Sequence, residues 1–168
     1  MSDIDVSWLP QTVPFSGFGT DWNAYVEHIY KIFEKDFVLS KPKFNNKDVL
    51  YGGGQRDGKP ECFWHIITEN YDSSNNQNSN RDWDLLRCER LPWIKPIIEN
   101  SDNNAVLKWK NRRGRNKNIL LLLEPCDYLV ILSIKKTYYL VTAYYVRAHT
   151  KVKLLKEYEE YNKKIAPN

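Results

Sequence analysis

The fold is decided by residues 118–146, which read NILLLLEPCDYLVILSIKKTYYLVTAYYV. Three runs rich in β-branched and aromatic residues lie in this stretch and predict strands at Asn118–Glu124, Tyr128–Ile134 and Tyr138–Val146. The last two runs are joined across Lys135-Lys136, and this two-residue spacing predicts a tight antiparallel hairpin. Because Tyr128–Ile134 is apolar at nearly every position, we expect it to be a central strand covered on both faces.

A helix is predicted before this stretch, with Thr20 or Asp21 as its N-cap and Trp22 as its first residue. Its apolar residues recur at helical spacing and form one stripe. They are Trp22, Tyr25, Val26, Ile29 and Phe33.

Two further helical stretches are predicted. One begins at Asp82 or Asp84 and is broken by Pro92 and Pro96. The other is a C-terminal amphipathic helix. Its apolar residues are Leu154, Leu155, Tyr158, Tyr161 and Ile165. The order of elements predicts an α+β fold, in which a small antiparallel sheet packs against N-terminal, middle and C-terminal helices.

The remaining segments are assigned from local composition. Glu61–Thr68 reads ECFWHIIT, and its aromatic and β-branched content predicts a strand. Val106–Trp109 is a shorter candidate strand. Residues 1–19 contain prolines and glycines typical of an irregular lead-in, and the Asn/Ser-rich residues 71–80 predict a mobile surface loop.

Composition limits the class of protein. The 168 residues are 42% hydrophobic and 27% charged, which favours one globular domain spanning residues 1–168. The best apolar run, Ile119–Leu123, is too short to cross a membrane, and the acids within residues 1–5 are unlike a signal peptide. Three widely spaced cysteines do not form a disulfide framework. We therefore expect a cytoplasmic protein that does not bind a membrane. The net charge of +4 favours an anionic binding partner.

His65 is a candidate acid or base, because an ordinary imidazole titrates near ~6.5 and transfers protons in either direction. Taken alone, His65 is more typical of a satisfied core histidine. Cys62-x-x-His65 is half of a zinc site, but the other Cys and His residues stand singly, so we expect no metal. Gly52–Gly54 lacks the spacing of a phosphate loop and predicts a wide turn.

Arg87 and Arg90 are candidates for phosphate binding. They stand at i and i+3, share a helix face, and carry guanidinium groups that match phosphate oxygens. An equally supported alternative is a solvated face on which Glu89 and Asp84 are their partners.

Thr142 and Tyr144 are two positions apart in the last predicted strand, so their side chains point to the same face. Their hydroxyl groups can donate to a phosphoryl oxygen. Without further context, aromatic packing on the sheet is the better interpretation of this pattern.

Residues 108–117, KWKNRRGRNK, hold six basic residues and no acidic one. This composition favours contact with a polyanion over a hairpin tip that only aids solubility. Trp109 lies within the run and adds a possible stacking surface for an unpaired base. The candidate nucleic-acid-binding residues are Lys108, Trp109, Lys110, Arg112, Arg113, Arg115 and Lys117.

Three stretches, taken together, resemble the phage- and plasmid-associated branch of the barnase, EndoU, colicin-nuclease and RelE-like ribonuclease superfamily. They are FWHI at 63–66, LRCERLPWI at 86–94, and DYLVIL at 127–132 followed by YLVTAY at 139–144. The resemblance implies a metal-independent endoribonuclease with its active site on the open face of the sheet. Such enzymes activate the ribose 2′-hydroxyl and leave a 2′,3′-cyclic phosphate.

The resemblance also implies roles for individual residues. His65 matches the strand histidine as general acid or base, and Arg87 or Arg90 matches the helix arginine. Thr142 and Tyr144 match the hydroxyl and aromatic positions of the last strand.

No second catalytic histidine is evident, and His149, Glu61 and Glu89 remain alternatives for that role. The function we predict is therefore RNA cleavage without a cofactor, by a toxin of a mobile element that an acidic antitoxin or immunity protein accompanies. The alternative is a non-enzymatic module that binds nucleic acid or an acidic protein, with His65 in the core.

Overall fold

A β-hairpin formed by residues 128–145 lies in the middle of the main sheet, and helices pack on both faces of that sheet. The computed structural model describes residues 4–69 and 82–165. The α-helices in these residues are α1 (Trp22–Phe33), α2 (Glu61–Ile67), α3 (Leu85–Glu89), α4 (Ile94–Glu99) and α5 (Ala148–Ile165). Short 3-10 or π turns occupy Phe15–Phe18, Glu34–Val38, Leu91–Trp93 and Glu124–Cys126.

The main sheet has six strands in the order β1-β2-β10-β9-β8-β7. They are β1 (Lys43–Phe44), β2 (Lys47–Tyr51), β7 (Val106–Arg113), β8 (Asn116–Leu123), β9 (Tyr128–Ile134) and β10 (Tyr138–Tyr145). Two short ribbons pair β3 (Gln55–Arg56) with β4 (Lys59–Pro60) and β5 (Thr68–Glu69) with β6 (Asp82–Trp83). The predicted α+β class is confirmed. The main sheet is antiparallel except where β2 runs parallel to β10.

The predicted β9–β10 hairpin is confirmed. Ile134 pairs directly with Tyr138, so the connection has three residues, Lys135–Thr137, and the expected two-residue turn is wrong. Strand β9 lies between β10 and β8, and its first six residues are buried, as expected for a central strand.

Two hydrophobic clusters cover the two faces of the sheet. The larger one joins α1, α2 and α4 to the sheet through residues such as Ile29, Phe63 and Ile97. The smaller one lies under α5, where Leu154 packs with Trp109 and alternate residues of β8 and β9. The face expected to be open is therefore covered in part by the C-terminal helix.

The predicted strand at Glu61–Thr68 is wrong, because residues 61–67 form helix α2. Four of its residues, Phe63, Trp64, Ile66 and Ile67, are buried, which leaves only a narrow polar face. A short apolar run has no periodicity that separates a buried strand from a buried helix. Here tertiary burial overrode the local β-propensity.

Helix ends agree more closely with prediction. The Asp21 carboxylate accepts from the backbone N–H of Ala24, and the Asp84 carboxylate accepts from that of Arg87, which makes them the N-caps of α1 and α3. Pro92 lies in the turn Leu91–Trp93, which separates α3 from α4. The predicted loop at 71–80 lies outside the described residues.

Candidate functional site

The candidate residues lie along the part of β10 that β2 leaves unpaired. Strand β2 pairs with β10 only through Tyr138–Leu140, and α2 and α3 flank the rest of the strand. The pairing of β10 with β9 skips Val141, which marks a bulge and leaves Val141 40% exposed. A bulge at a strand edge redirects a side chain and is common beside functional sites.

His65 lies on the narrow polar face of α2, where it is partly buried. With Glu61, one helical turn earlier, it lines a pocket of about 270 Å³ that we call the His65 pocket. Burial lowers the pKa of His65, and the nearby positive charge of Arg87 lowers it further. At neutral pH the imidazole is therefore uncharged and able to accept a proton.

Arg87 is held on α3 by two interactions. Its Nη1 donates to the backbone oxygen of Thr68 at 3.0 Å, and its Nε lies 3.3 Å from Asp84 Oδ2. The guanidinium stands 5.2 Å from the ring centre of Tyr144, in a cation–π contact. Fixed in this way, Arg87 lines a second pocket of about 220 Å³, which we call the Arg87 pocket.

Arg90 takes a different position. Its guanidinium lies over Tyr145 at 5.2 Å and over Trp93 at 5.4 Å, and it pairs with Glu89 at 3.5 Å. Tyr144 and Tyr145 are consecutive strand residues that point to opposite faces, so the two arginines stand on opposite sides of β10. Of the two candidates, Arg87 is the one that contacts Tyr144.

Thr142 and Tyr144 face the α5 side of the sheet. They pair across β9 with Ile131 and Leu129, both members of the cluster under α5. Both residues are partly buried. Burial raises the pKa of Tyr144, while the charges of Arg113 and Arg87 oppose that rise.

The structure brings Arg87 and Tyr144 into contact but places His65 in a separate pocket, and Thr142 lines neither pocket, so the candidate catalytic residues do not meet in one cleft. The charge of Arg87 nevertheless lowers the pKa of His65. Val141 lines the His65 pocket and Tyr144 lines the Arg87 pocket, so β10 links the two. His65 reaches this edge from a helix, which corrects the expectation that it stands on a strand.

The three alternatives for the second acid or base lie in different places. Glu61 lines the His65 pocket, and His149 lines the Arg87 pocket from the start of α5. Glu89 is engaged with Arg90. His149 is thus the alternative that shares a pocket with Arg87 and Tyr144.

The basic run forms the β7–β8 hairpin, with Gly114 and Arg115 between the strands. Gly114 has φ 61°, a conformation that favours glycine in a two-residue hairpin turn. Five cations of the run are exposed, and none has an ion pair with any residue that the structure describes. They are Lys110, Arg112, Arg113, Arg115 and Lys117. We call them the hairpin cations.

Two residues of the run do not join this surface. Lys108 pairs with Asp102 at 2.6 Å. Trp109 is 1% exposed, its Nε1 donates to Glu157 Oε1 at 2.8 Å, and its ring packs edge-on against Tyr158 of α5. The expectation that Trp109 stacks on a base is wrong, because that face of the strand is used to dock α5.

Among the residues described, no three His, Cys, Asp or Glu side chains are grouped so as to hold a metal ion. Burial raises the pKa of both Cys62 and Cys88 to about 12, so both remain thiols at neutral pH. No helix in the described ranges has the length and apolar character needed to cross a membrane.

Comparison with known proteins found no matching family model, curated protein or solved structure.

One element of the site was missed from the sequence. Gly52 and Gly53, assigned to a wide turn, form one wall of the His65 pocket. The sequence alone does not reveal this wall, because it exists only where α2 packs beside the end of β2. The signal available was a glycine cluster with no periodic strand or helix pattern after Tyr51.

Proposed function

We propose that this protein cleaves RNA without a metal ion, by attack of the ribose 2′-hydroxyl on the adjacent phosphate. The observation that supports this most directly is the arrangement of His65, Arg87 and Tyr144 along one strand edge. An uncharged imidazole, a fixed guanidinium and a phenolic hydroxyl are the group types that this reaction needs.

In the proposed reaction, His65 accepts the proton of the 2′-hydroxyl as its oxygen bonds to phosphorus. The bond from phosphorus to the 5′-oxygen breaks, which leaves a 2′,3′-cyclic phosphate. Arg87 and Tyr144 donate to the phosphoryl oxygens, where negative charge builds in the transition state. His149, which shares the Arg87 pocket, is assigned as the donor of a proton to the departing 5′-oxygen.

The hairpin cations supply a path for the RNA backbone. The charge of Arg113 acts on Tyr144, so the hairpin and the Arg87 pocket lie in one electrostatic environment. A strand that follows the hairpin can therefore reach the pocket while its phosphates remain near positive charge. The proposed setting is a reducing cytoplasm, where the three cysteines stay as free thiols.

The test compares His65→Gln with the wild-type protein on a fluorescent oligoribonucleotide in EDTA. Loss of a general base is expected to slow cleavage by roughly a hundred- to ten-thousandfold. His28→Gln is the matched control, because His28 is exposed on α1 and lines neither the His65 pocket nor the Arg87 pocket. A substrate with one 2′-deoxyribose at the cleaved position should resist the wild-type protein. Cleavage that persists on that substrate would contradict the mechanism.

A second function, binding without cleavage, is favoured by the five hairpin cations, since their charge suffices to hold a nucleic acid. The same assay separates the two functions. If the wild-type protein binds the oligoribonucleotide tightly and yields no cyclic phosphate, the binding module is the correct description.

A further inference from the structure

A third pocket, of about 430 Å³, lies between the end of α1, residues 10–13 and α4. We call it the α1–α4 pocket. The residues that α4 and the turn before it contribute are at positions 92, 95, 96 and 99, a spacing that puts them on one helical face. None of the residues that line this pocket lines the His65 pocket or the Arg87 pocket. It is therefore separate from the proposed active site.

The floor of the α1–α4 pocket is apolar and is held in place by hydrogen bonds. Trp93 Nε1 donates to the Pro10 oxygen at 2.9 Å, and the backbone N–H of Val13 donates to the Glu89 oxygen at 2.9 Å. The Tyr25 hydroxyl donates to the Val13 oxygen at 2.7 Å. A pocket fixed in this way loses little further freedom when a ligand binds. Its apolar lining residues are Pro10, Val13, Ile32, Pro92 and Pro96.

Charged side chains of both signs stand around this apolar floor. Lys35 and Asp36 contribute from the α1 side, and Lys95 and Glu99 contribute from α4. Lys95 exerts the largest charge effect on Asp36, yet none of the four side chains forms an ion pair with a residue that the structure describes. Space therefore separates Asp36 from Lys95, and both side chains line the pocket.

Asp36 gives the clearest indication that a ligand binds here. Its carboxylate is partly buried, and no described residue donates a hydrogen bond to it. Burial raises the pKa of Asp36, although the charges of Lys95 and Lys35 oppose that rise. A partly buried carboxylate without a donor is unfavourable, and a ligand ammonium group would remove that cost. Asp36 also lies in the π turn Glu34–Val38, an irregularity that is frequent at functional sites.

We propose that the α1–α4 pocket binds a free α-amino acid with a large apolar side chain. The ligand ammonium pairs with Asp36, its carboxylate pairs with Lys95, and its side chain covers the proline-lined floor. An α-amino acid carries both charges on one carbon atom, which matches two opposite charges that face one gap. The volume lies at the lower end of the ~300–1,000 Å³ typical of ligand pockets, so the ligand is small. This inference does not depend on the proposed ribonuclease function.

The first test is isothermal titration calorimetry of the wild-type protein with phenylalanine, leucine and tryptophan. Phenylalanine is compared with phenethylamine, which lacks the carboxylate, and with 3-phenylpropionate, which lacks the ammonium. We expect phenylalanine to bind at least ~tenfold more tightly than either, because each loses one charge-assisted contact. Binding by none of the three amino acids would overturn the proposal, and so would equal binding of phenylalanine and either analogue.

The second test locates the site. Asp36→Asn is expected to weaken phenylalanine binding at least ~tenfold and to remove its advantage over 3-phenylpropionate. Lys95→Gln should weaken it by a similar factor and remove its advantage over phenethylamine. The matched controls are Glu159→Gln and Lys47→Gln, since both residues are exposed and line none of the three pockets.

Thermal melting of each variant, with and without phenylalanine, checks that it folds. Saturating phenylalanine should raise the melting temperature of the wild-type protein and of both controls. If Asp36→Asn and Lys95→Gln bind phenylalanine as tightly as the controls do, the ligand binds elsewhere and the assignment is wrong. Should either variant fail to fold, the comparison of ligands on the wild-type protein still decides the proposal.

Discussion

Replacing Arg112, Arg113 and Arg115 with glutamine is expected to flatten the salt dependence of RNA binding. All three side chains are exposed at the end of the β7–β8 hairpin, and none is held in an ion pair with a described residue. The turn residue Gly114 is left in place. Exposed substitutions of this kind usually change the free energy of unfolding by less than about 0.5 kcal/mol, so the fold should persist.

The size of the effect follows from counterion release. Each phosphate contact contributes about 0.7 to the slope of log K against log salt concentration for a single strand. Five hairpin cations set an upper value of about 3.5 for their part of the slope, and the triple variant should lower it by about 2. If binding at 1 M salt is unchanged, affinity at ~0.1 M salt falls roughly a hundredfold.

The assay is fluorescence anisotropy of a labelled single-stranded oligonucleotide made entirely of 2′-deoxyribose, so that the probe is not cleaved during titration. Salt is varied at fixed pH, and unfolding is checked in parallel by thermal melting. The control replaces three exposed lysines elsewhere with glutamine, which removes the same charge. They are Lys31, Lys35 and Lys47.

A general effect of net charge predicts equal losses in the two triple variants. Contact through the hairpin predicts a lower slope in the arginine variant alone. If the arginine variant keeps the wild-type slope, the hairpin does not touch the nucleic acid and the reasoning from its unpaired charge is wrong.

The remaining predictions concern the site and its support. The pKa of His65 is lower in the folded than in the unfolded chain, so the unfolded state binds more protons as the pH falls below 6.5. The free energy of unfolding should therefore decrease as the pH falls below 6.5. In urea titrations at several pH values, His65→Gln should remove this part of the pH dependence. Arg87→Gln should raise the pKa of His65 measured by NMR, and an unchanged pKa would show that their charges do not interact. Glu157→Ala should lower the free energy of unfolding by about 1–3 kcal/mol, since it leaves the buried N–H of Trp109 without its acceptor. Tyr128→Phe should leave stability equal or higher in the same denaturant titration, because the Tyr128 hydroxyl is buried and hydrogen-bonds to no residue that the structure describes. A loss above about 1 kcal/mol would instead reveal a partner such as bound water.

The central hairpin could be predicted from sequence because its signals are local and agree with one another. Tyr128–Ile134 and Tyr138–Tyr145 carry strong β-propensity, a polar connection separates them, and each can pair with its neighbour in the chain. The cap of α1 was likewise visible, since Asp21 directly precedes an apolar stripe at helical spacing.

Helix α2 and Trp109 were misassigned for a common reason. In both, the pattern shows that side chains are apolar but not which partner buries them. Residues 61–67 are enclosed by the main core as a helix, and Trp109 is enclosed by α5, whose Glu157 accepts its N–H. The Glu157 acceptor lies 48 positions from Trp109 in the chain, and two aromatic partners of Phe63 lie on α1, so these partners leave no trace in a local window.

The candidate site depends on β2 being shorter than β10, a difference that the sequence of neither strand encodes on its own. Strand β2 stops pairing at Leu140, and the bulge at Val141 leaves the Val141 side chain exposed, so the edge of β10 beyond that point is free to accept α2 and α3. Had β2 continued alongside β10, the strand edge beside which the His65 pocket and the Arg87 pocket now lie would hold backbone hydrogen bonds of the sheet. The chemistry of His65 and Arg87 could thus be suspected from residue type, whereas their proximity follows from where a parallel strand ends.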